Sequence, residues 1–290
     1  MVTTLETPPS HITLPSGDRM PSLGLGCWQA PPEQLSRAVA HALSVGYRHI
    51  DGATVYANEE ALGAGVAASG VPRSQIWITT KLWNTDHRPK DVRPALEKSL
   101  AALGTEYVDL WLMHYPCAMD PDTEEIKVVD VDYVETWKAM EACVNAGLAR
   151  NIGVSKRHPY LPQNAFMAYH RKVLIGMHVT AYSPLGNTNP SYADQNTLPA
   201  IQENEVVKSI AHNYGISSAN VLISLQLSEG HSVLPKSVTL GRIEENLNVV
   251  SLAPNDIEAI YESTKGLRHR YCDWSDVIGY KYYADLDDSD

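Results

Sequence analysis

A chain of 290 residues can hold one large domain or two small ones, and barrels of this length form around a single core, so residues 1–290 are expected to make one domain. Apolar residues make up 44% and charged residues 20%, which is ordinary globular usage, and no apolar run is long enough to span a bilayer. The net charge of -11, carried partly by Asp285, Asp287, Asp288 and Asp290, argues against nucleic acid as a partner.

The amino terminus has neither a basic start nor an apolar stretch before a small-residue cleavage site, so a cytoplasmic protein is expected. Short apolar runs then alternate with longer amphipathic segments, the pattern of βα units feeding a parallel sheet. His11–Leu14 and Met20–Leu23 flank Pro15-Ser16-Gly17-Asp18, whose residues favour turns, and predict a hairpin ahead of the repeats. Leu23–Gly26 pairs with a helix over Gln34–Val45, and Arg48–Asp51 with one over Glu59–Ala68. Ile76–Thr80 leads to Val92–Leu103, and Val108–Met113 leads to Tyr133–Ala146. Each run is short and continuously apolar, as strands buried on both faces are. Asn151–Val154 follows, then an amphipathic piece over Leu161–Lys172 and a strand over Met177–Tyr182. Helical patterns over Val206–His212 and Ala219–Ser228 precede a last strand, Ser232–Pro235, and a helix over Arg242–Val250. The expected fold is an α/β protein, a (β/α) TIM-type barrel with an amino-terminal hairpin. It has about seven core strands where a closed barrel has eight. Three long polar connections, over 117–130, over 187–200 and from Gly266 onward, fall at the carboxy-terminal mouth, where such barrels build their active sites.

Chemistry-bearing residues stand at the ends of three successive strands: Asp51, with Tyr56 shortly after it, then Lys81, then His114. Strand ends converge on one pocket, so the four side chains can meet. A tyrosine with an ordinary pKa of about 10 is a poor donor to a carbonyl oxygen until a cation favours its ionised form. Lys81 can be that cation, Asp51 can keep a desolvated Lys81 charged, and His114 can donate to the same carbonyl oxygen. Taken singly, Asp51 and Lys81 read as a buried ion pair, His114 as a core histidine and Tyr56 as a helix aromatic. Their joint placement at matching strand ends favours the catalytic reading. Cys27, Cys117, Cys143 and Cys272 form no CxxC pair and have no histidine at ligand spacing, so reduced structural thiols and no metal are expected. Gly24-Leu25-Gly26 and Gly63-Ala64-Gly65 are not Rossmann fingerprints, and there is no P-loop, HExxH or nucleophile elbow.

The segments GYRHIDGATVYANEEALG, WITTKLWN, YVDLWLMHYP, NIGVS, HPYLPQ, VTAYSPLG and VLPKSVTLGRIEENL, in this order, resemble the signature stretches of the aldo-keto reductase family. The resemblance runs from about residue 11 to the end and implies NADPH-dependent reduction of a small carbonyl substrate by a monomer with no membrane partner. It makes Tyr56 the general acid and His114 the group that orients the carbonyl, with Asp51 and Lys81 tuning the tyrosine. It places Ser155, Tyr182, Ser183 and Leu185 in the cofactor cleft, and Glu245 and Asn246 at the adenine. Lys236, Ser237 and Arg242, after the last strand, suit the 2'-phosphate that distinguishes NADPH from NADH, and the resemblance agrees. Trp28, Val55, Trp83, His114 and Tyr115 are implied to line an apolar substrate cleft, with Trp274 closing it, whereas Trp77, Trp111 and Trp137 read as core filling.

The resemblance breaks after GVS. Where the family has an asparagine, a helix and a strand carrying a glutamine, this chain has Lys156-Arg157 and then HPYLPQ at once. The shortfall is about one βα repeat of roughly 30 residues, which matches the strand not found, and it removes two family contacts to the nicotinamide. A defect is therefore expected between the strands at Ile152 and Val179, with the four catalytic residues still assembled. Besides the active reductase there are two other readings: a silent isoform that binds NADPH weakly, and a metal-dependent hydrolase, which lacks a ligand cluster after the first strand.

Overall fold

The structure is a computed structural model, and it describes residues 7–115, 117–123, 126–155, 180–181, 183–186, 200–265 and 267. His11–Thr13 (β1) and Arg19–Pro21 (β2) form the expected antiparallel hairpin. Its turn is tied by the Leu14 and Gly17 amides, and Gly17 takes φ 89°, a value only glycine adopts freely. Leu14 and Met20 pack on Trp77, Leu110 and Leu112, so the hairpin plugs the amino-terminal end of the sheet. Asn151 Nδ2 fastens it from inside by donating to Asp18 Oδ2 at 2.8 Å and to the Asp109 carbonyl at 3.0 Å.

Five parallel strands lie side by side in chain order: Leu25–Gly26 (β3), His49–Asp51 (β4), Trp77–Leu82 (β5), Val108–Met113 (β6) and, after a short antiparallel pair in the next loop, Ala149–Val154 (β9). That loop pair is Ala118–Met119 (β7) with Val128–Val129 (β8), an ordered hairpin inside what reads in the sequence as a plain polar connection. Thr180–Ala181 (β10) pairs in parallel with Ser232–Val233 (β11), and bridges Leu23 to Val233 and Gly26 to Lys236 join that pair to the free side of β3. Gly26 permits this approach, since a Cβ there would lie 2.9 Å from the Leu234 carbonyl oxygen. The result is an α/β barrel with seven core strands among the described residues, as the sequence predicts. Among them β9 pairs only with β6 and β10 only with β11. Val179 lies outside the described residues.

Helices Pro32–Ser44 (α1), Glu59–Ala68 (α2), Pro89–Leu103 (α3) and Tyr133–Asn145 (α4) alternate with the strands. Gly63 and Gly65 serve their packing: a Cβ would come within 2.4 Å of the Leu103 carbonyl on α3 and 2.6 Å of the Ser36 carbonyl on α1. Glu205–Tyr214 (α5) and Ser218–Ser228 (α6) follow. The helix expected over Arg242–Val250 is instead Leu240–Glu245 (α7), because the chain turns at Asn246 and sends Val250 and Leu252 into a second apolar cluster. A further helix, Pro254–Ser263 (α8), opens on a proline suited to the first helical turn and was not expected from the sequence. Trp77 and Trp111 are core residues, whereas Trp137 lies half-buried on α4 with its Nε1 donating to Glu141, a correction to its reading as core filling. The amphipathic piece over 161–172, Tyr182, Cys272 and Trp274 lie outside the described residues.

Candidate active site

Asp51 closes β4, Lys81 is the fifth residue of β5, and His114 directly follows β6, so adjoining strands deliver all three to the carboxy-terminal mouth. Tyr56 ends a short 3-10 turn, Thr54–Tyr56, that leaves β4 and folds back toward the sheet. Lys81 Nζ is the hub: it lies 2.6 Å from Asp51 Oδ1, 2.8 Å from the Gly52 carbonyl and 3.3 Å from Tyr56 Oη. Burial works against the Lys81 ammonium, but Asp51 and then Tyr56 outweigh it and hold its pKa above the ordinary value, so the site carries a fixed cation. Burial pushes Tyr56 up to about 12 while Lys81 pulls the other way. Lys81 acts in the direction the sequence implies, yet desolvation of the hydroxyl is the larger effect, and the phenol is protonated throughout the neutral range.

His114 sits in an aromatic frame. The Trp83 ring meets it edge-on at 5.3 Å, the Tyr56 ring edge-on at 5.9 Å, and the Tyr115 ring stacks at 5.3 Å with 24° between planes. Tyr115, Cys117 and Met119 form a small apolar cluster on which Trp83 packs. Val55 is 40% exposed beside Tyr56, and Trp28 is half-buried on the loop after β3. The structure thus brings Asp51, Tyr56, Lys81, His114, Trp83 and Tyr115 into one group.

The other end of the site lies past β11. Lys236 and Arg242 are exposed, and neither has a carboxylate within ion-pair distance among the described residues. Lys236 bridges to Gly26 and lies close enough to the Cys27 thiol to influence it, which places it beside the catalytic group. Lys236 beside the catalytic group, with Arg242 six residues further on and neither ion-paired among the described residues, is a donor set that fits a phosphate-bearing cofactor. The Ser237 hydroxyl accepts from the Thr239 amide at 3.1 Å in a local turn, and Arg242 is the third residue of the six-residue α7, near its start as its sequence position suggests. Glu245 is exposed with its carbonyl held by Asn220 Nδ2 at 2.7 Å, and Asn246 is buried. Ser183 takes φ 46° and its carbonyl accepts from the Gly186 amide, while Leu185 packs between two apolar clusters. Ser155 follows β9, half-buried.

Sequence reasoning missed the residues that hold this group. Thr54 Oγ1 donates to the Lys81 carbonyl at 3.1 Å and lies 3.1 Å from Ser99 Oγ. The Glu59 carboxylate accepts from Thr80 at 2.5 Å and from Ser99 at 2.9 Å, and Asn58 Nδ2 donates to the carbonyls of Cys27 and Ala30. The only signal for them was their position next to Tyr56 and Lys81. Among the described residues no group of three or more His, Cys, Asp or Glu side chains could hold a metal ion, and no helix is long and apolar enough to cross a membrane.

A parallel barrel whose strand ends carry a buried lysine, aspartate and tyrosine beside a histidine is the architecture of a barrel oxidoreductase, and residues 22–206 match the sequence profile of the Aldo/keto reductase family. The chain belongs to that family. It is 38% identical to an uncharacterized oxidoreductase of Schizosaccharomyces pombe, with 90% of each chain covered. It is also 38% identical to aldo-keto reductase family 1 member A1 of Homo sapiens, over 90% of this chain and 91% of that one. The alignment with the yeast protein extends over 294 positions, more than this whole chain of 290 residues contains, so the relative carries residues with no counterpart here. Among solved structures, an aldo-keto reductase of Bombyx mori in complex with NADP is similar, with a TM-score of 0.85 and 31% identity, over 97% of this chain and 99% of that one.

Proposed function

We propose that this protein reduces aldehydes or ketones to alcohols with NADPH, with Tyr56 as the proton donor. One observation carries the reading: a single buried ammonium, Lys81 Nζ, lies within hydrogen-bond reach of both Asp51 Oδ1 and Tyr56 Oη. When bound, NADPH supplies the hydride. The chain's own residues supply the rest. Asp51 keeps Lys81 charged, and that charge stabilises the phenolate left when Tyr56 gives its proton to the carbonyl oxygen. His114, framed by Trp83, Tyr115 and Tyr56, is positioned to donate to the same oxygen and orient it. Trp28, Val55, Trp83 and Tyr115 supply an apolar wall that suits an aromatic or aliphatic aldehyde. Lys236 and Arg242 meet the phosphates, and Arg242 as a planar fork suits the 2'-phosphate. Ser155, Ser183 and Leu185 contribute to the cofactor cleft, and Glu245 and Asn246 meet the adenine.

The test follows NADPH absorbance with an aromatic aldehyde in the unaltered protein and in Tyr56→Phe. The variant keeps the ring and loses only the proton donor, so kcat should fall about 100-fold or more while NADPH affinity stays within about twofold. Turnover in Tyr56→Phe within about tenfold of the parent overturns Tyr56 as the acid. An unaltered protein that binds NADPH but turns over no carbonyl substrate favours the silent isoform instead.

A further inference from the structure

Asn58 occupies the N-cap position of α2, where asparagine ordinarily accepts a hydrogen bond from the first helical amides, yet its side chain makes no such bond. The amide is turned the other way. Nδ2 donates to the Cys27 carbonyl at 2.9 Å and to the Ala30 carbonyl at 3.1 Å, clasping both ends of the loop that presents Trp28. Two carbonyl oxygens can be met only by the NH2 end, so the amide orientation is fixed by chemistry, and Oδ1 is left buried without a partner among the described residues. The helix forgoes its cap and a buried acceptor goes unpaired, both unfavourable, and what the chain gains is the shape of that loop.

The loop needs holding. Gln29 has φ 53°, in the left-handed region that a residue with a side chain adopts only when its surroundings enforce it. On one side the Cys27 amide donates to the Asp51 carbonyl at 3.0 Å, which bolts the start of the loop to the strand that carries the catalytic carboxylate. On the other side stands Asn58, two residues after Tyr56 and joined to it through Ala57, itself left-handed at φ 52°. We infer that Asn58 is a positioning residue: it locks the Trp28 loop to the Tyr56 turn, so that the aromatic wall of the substrate cleft keeps a fixed distance from the proton donor. No other short side chain can replace it, since serine and threonine bring one donor and an ionised aspartate none. The inference rests on the reading of Trp28 as a wall of the carbonyl cleft.

The experiment compares Asn58→Ala and Asn58→Ser with the unaltered protein, each also in a Trp28→Ala background. KM and kcat for an aromatic aldehyde are measured at saturating NADPH. The emission of Trp28 is isolated as the difference between each protein and its Trp28→Phe counterpart. Asn58→Ala is expected to raise KM about tenfold with kcat within about threefold, and Asn58→Ser, with one donor left, to fall between. In the Trp28→Ala background the same change should add less than about twofold, because its effect passes through the missing ring. The Trp28 emission should shift to the red in Asn58→Ala as the loop loosens. Effects on KM that multiply in the double variant, a loss confined to kcat, or an unshifted Trp28 emission would overturn the inference. Should Asn58→Ala fail to fold, Asn58→Ser carries the same comparisons. Absence of turnover in the unaltered protein would sink the reductase reading, and Trp28 emission alone would then decide the clamp.

Discussion

Arg242 is exposed on α7 with no carboxylate at ion-pair distance among the described residues, in a chain that carries 34 acidic residues against 23 basic ones. An unpaired guanidinium can make a charge-assisted contact to a phosphate that NADPH has and NADH lacks. Arg242→Ala is therefore expected to weaken NADPH at least about tenfold while changing NADH less than about twofold, measured as dissociation constants by fluorescence titration. Equal losses for both cofactors would show that Arg242 does not read the 2'-phosphate. The catalytic side chains were legible because polar groups closing apolar strands are conspicuous, and strand geometry then brings them together. Asn58 and Glu59 were not, since they act on backbone carbonyls and on Thr80 and Ser99 hydroxyls, pairings that leave no mark in the sequence until the fold sets the partners. The pKa of Tyr56 was legible in part: the pull of Lys81 could be inferred from residue types, but the larger effect of burial could not.

At the scale of elements, the amino-terminal hairpin and the barrel meet at His49. Its Nδ1 must carry the hydrogen, because it faces the Pro21 carbonyl at 3.1 Å, and its Nε2 then accepts from Thr79 Oγ1 at 3.0 Å. Burial lowers this imidazole to about 4, aided by the charge of Lys81 and opposed by the Pro21 carbonyl. The folded pKa lies below the unfolded value of 6.5, so the unfolded chain takes up the proton first, and the stability His49 contributes is complete above about pH 6.5 and lost as pH falls toward 4. His87, buried with no ring partner among the described residues, is lowered to about 4 by burial and acts in the same sense. Carboxyls raised by burial, such as Glu59 and Asp109, act in the opposite sense, so the comparison must isolate one histidine. His49→Gln can donate to Pro21 and accept from Thr79 without titrating. Between pH 7 and about pH 4.5, urea unfolding of the unaltered protein should lose about 2 kcal/mol more than the variant, and parallel losses would exclude His49 as the acid-sensitive link. The elements themselves followed apolar periodicity closely, with α2 matching at both ends. The helix over Pro254–Ser263 escaped because it buries little: Ile260 is its one fully buried residue, and its apolar face is narrow.

At the scale of the whole molecule, the described residues leave β9 and β10 without a pairing between them. Seven parallel strands were readable from the sequence because most of them are short, mainly apolar runs, but how the fifth and sixth of them, β9 and β10, stand to each other depends on residues other than the strands. In β5 and β6 all six residues are buried, whereas along β9 exposure grows toward the carboxy-terminal end, from a buried Asn151 through half-buried Ile152 and Gly153 to Val154 at 52%. Successive amides of a parallel strand point alternately to its two neighbours. Those of β9 that face β6 are bonded, and those on the far side have no strand partner among the described residues. The usual barrel interior stacks side chains from alternate strands in layers, an order that seven strands cannot repeat evenly, so closure at this point would strain the packing that β4, β5 and β6 need around Lys81. An edge left open at β9 would leave the catalytic strands regular, and Lys81 Nζ does lie 3.3 Å from Tyr56 Oη. Hydrogen exchange distinguishes an open edge from a closed ring, since protection reports whether each amide has a bonded partner. Peptides covering Ala149–Val154 should exchange at least about tenfold faster than those covering Trp77–Leu82 and Val108–Met113, with the fast amides being those that face away from β6. Equal protection in all three strands would mean that the ring closes on β9, and the missing repeat would then have been absorbed by the packing of the barrel instead of by its edge.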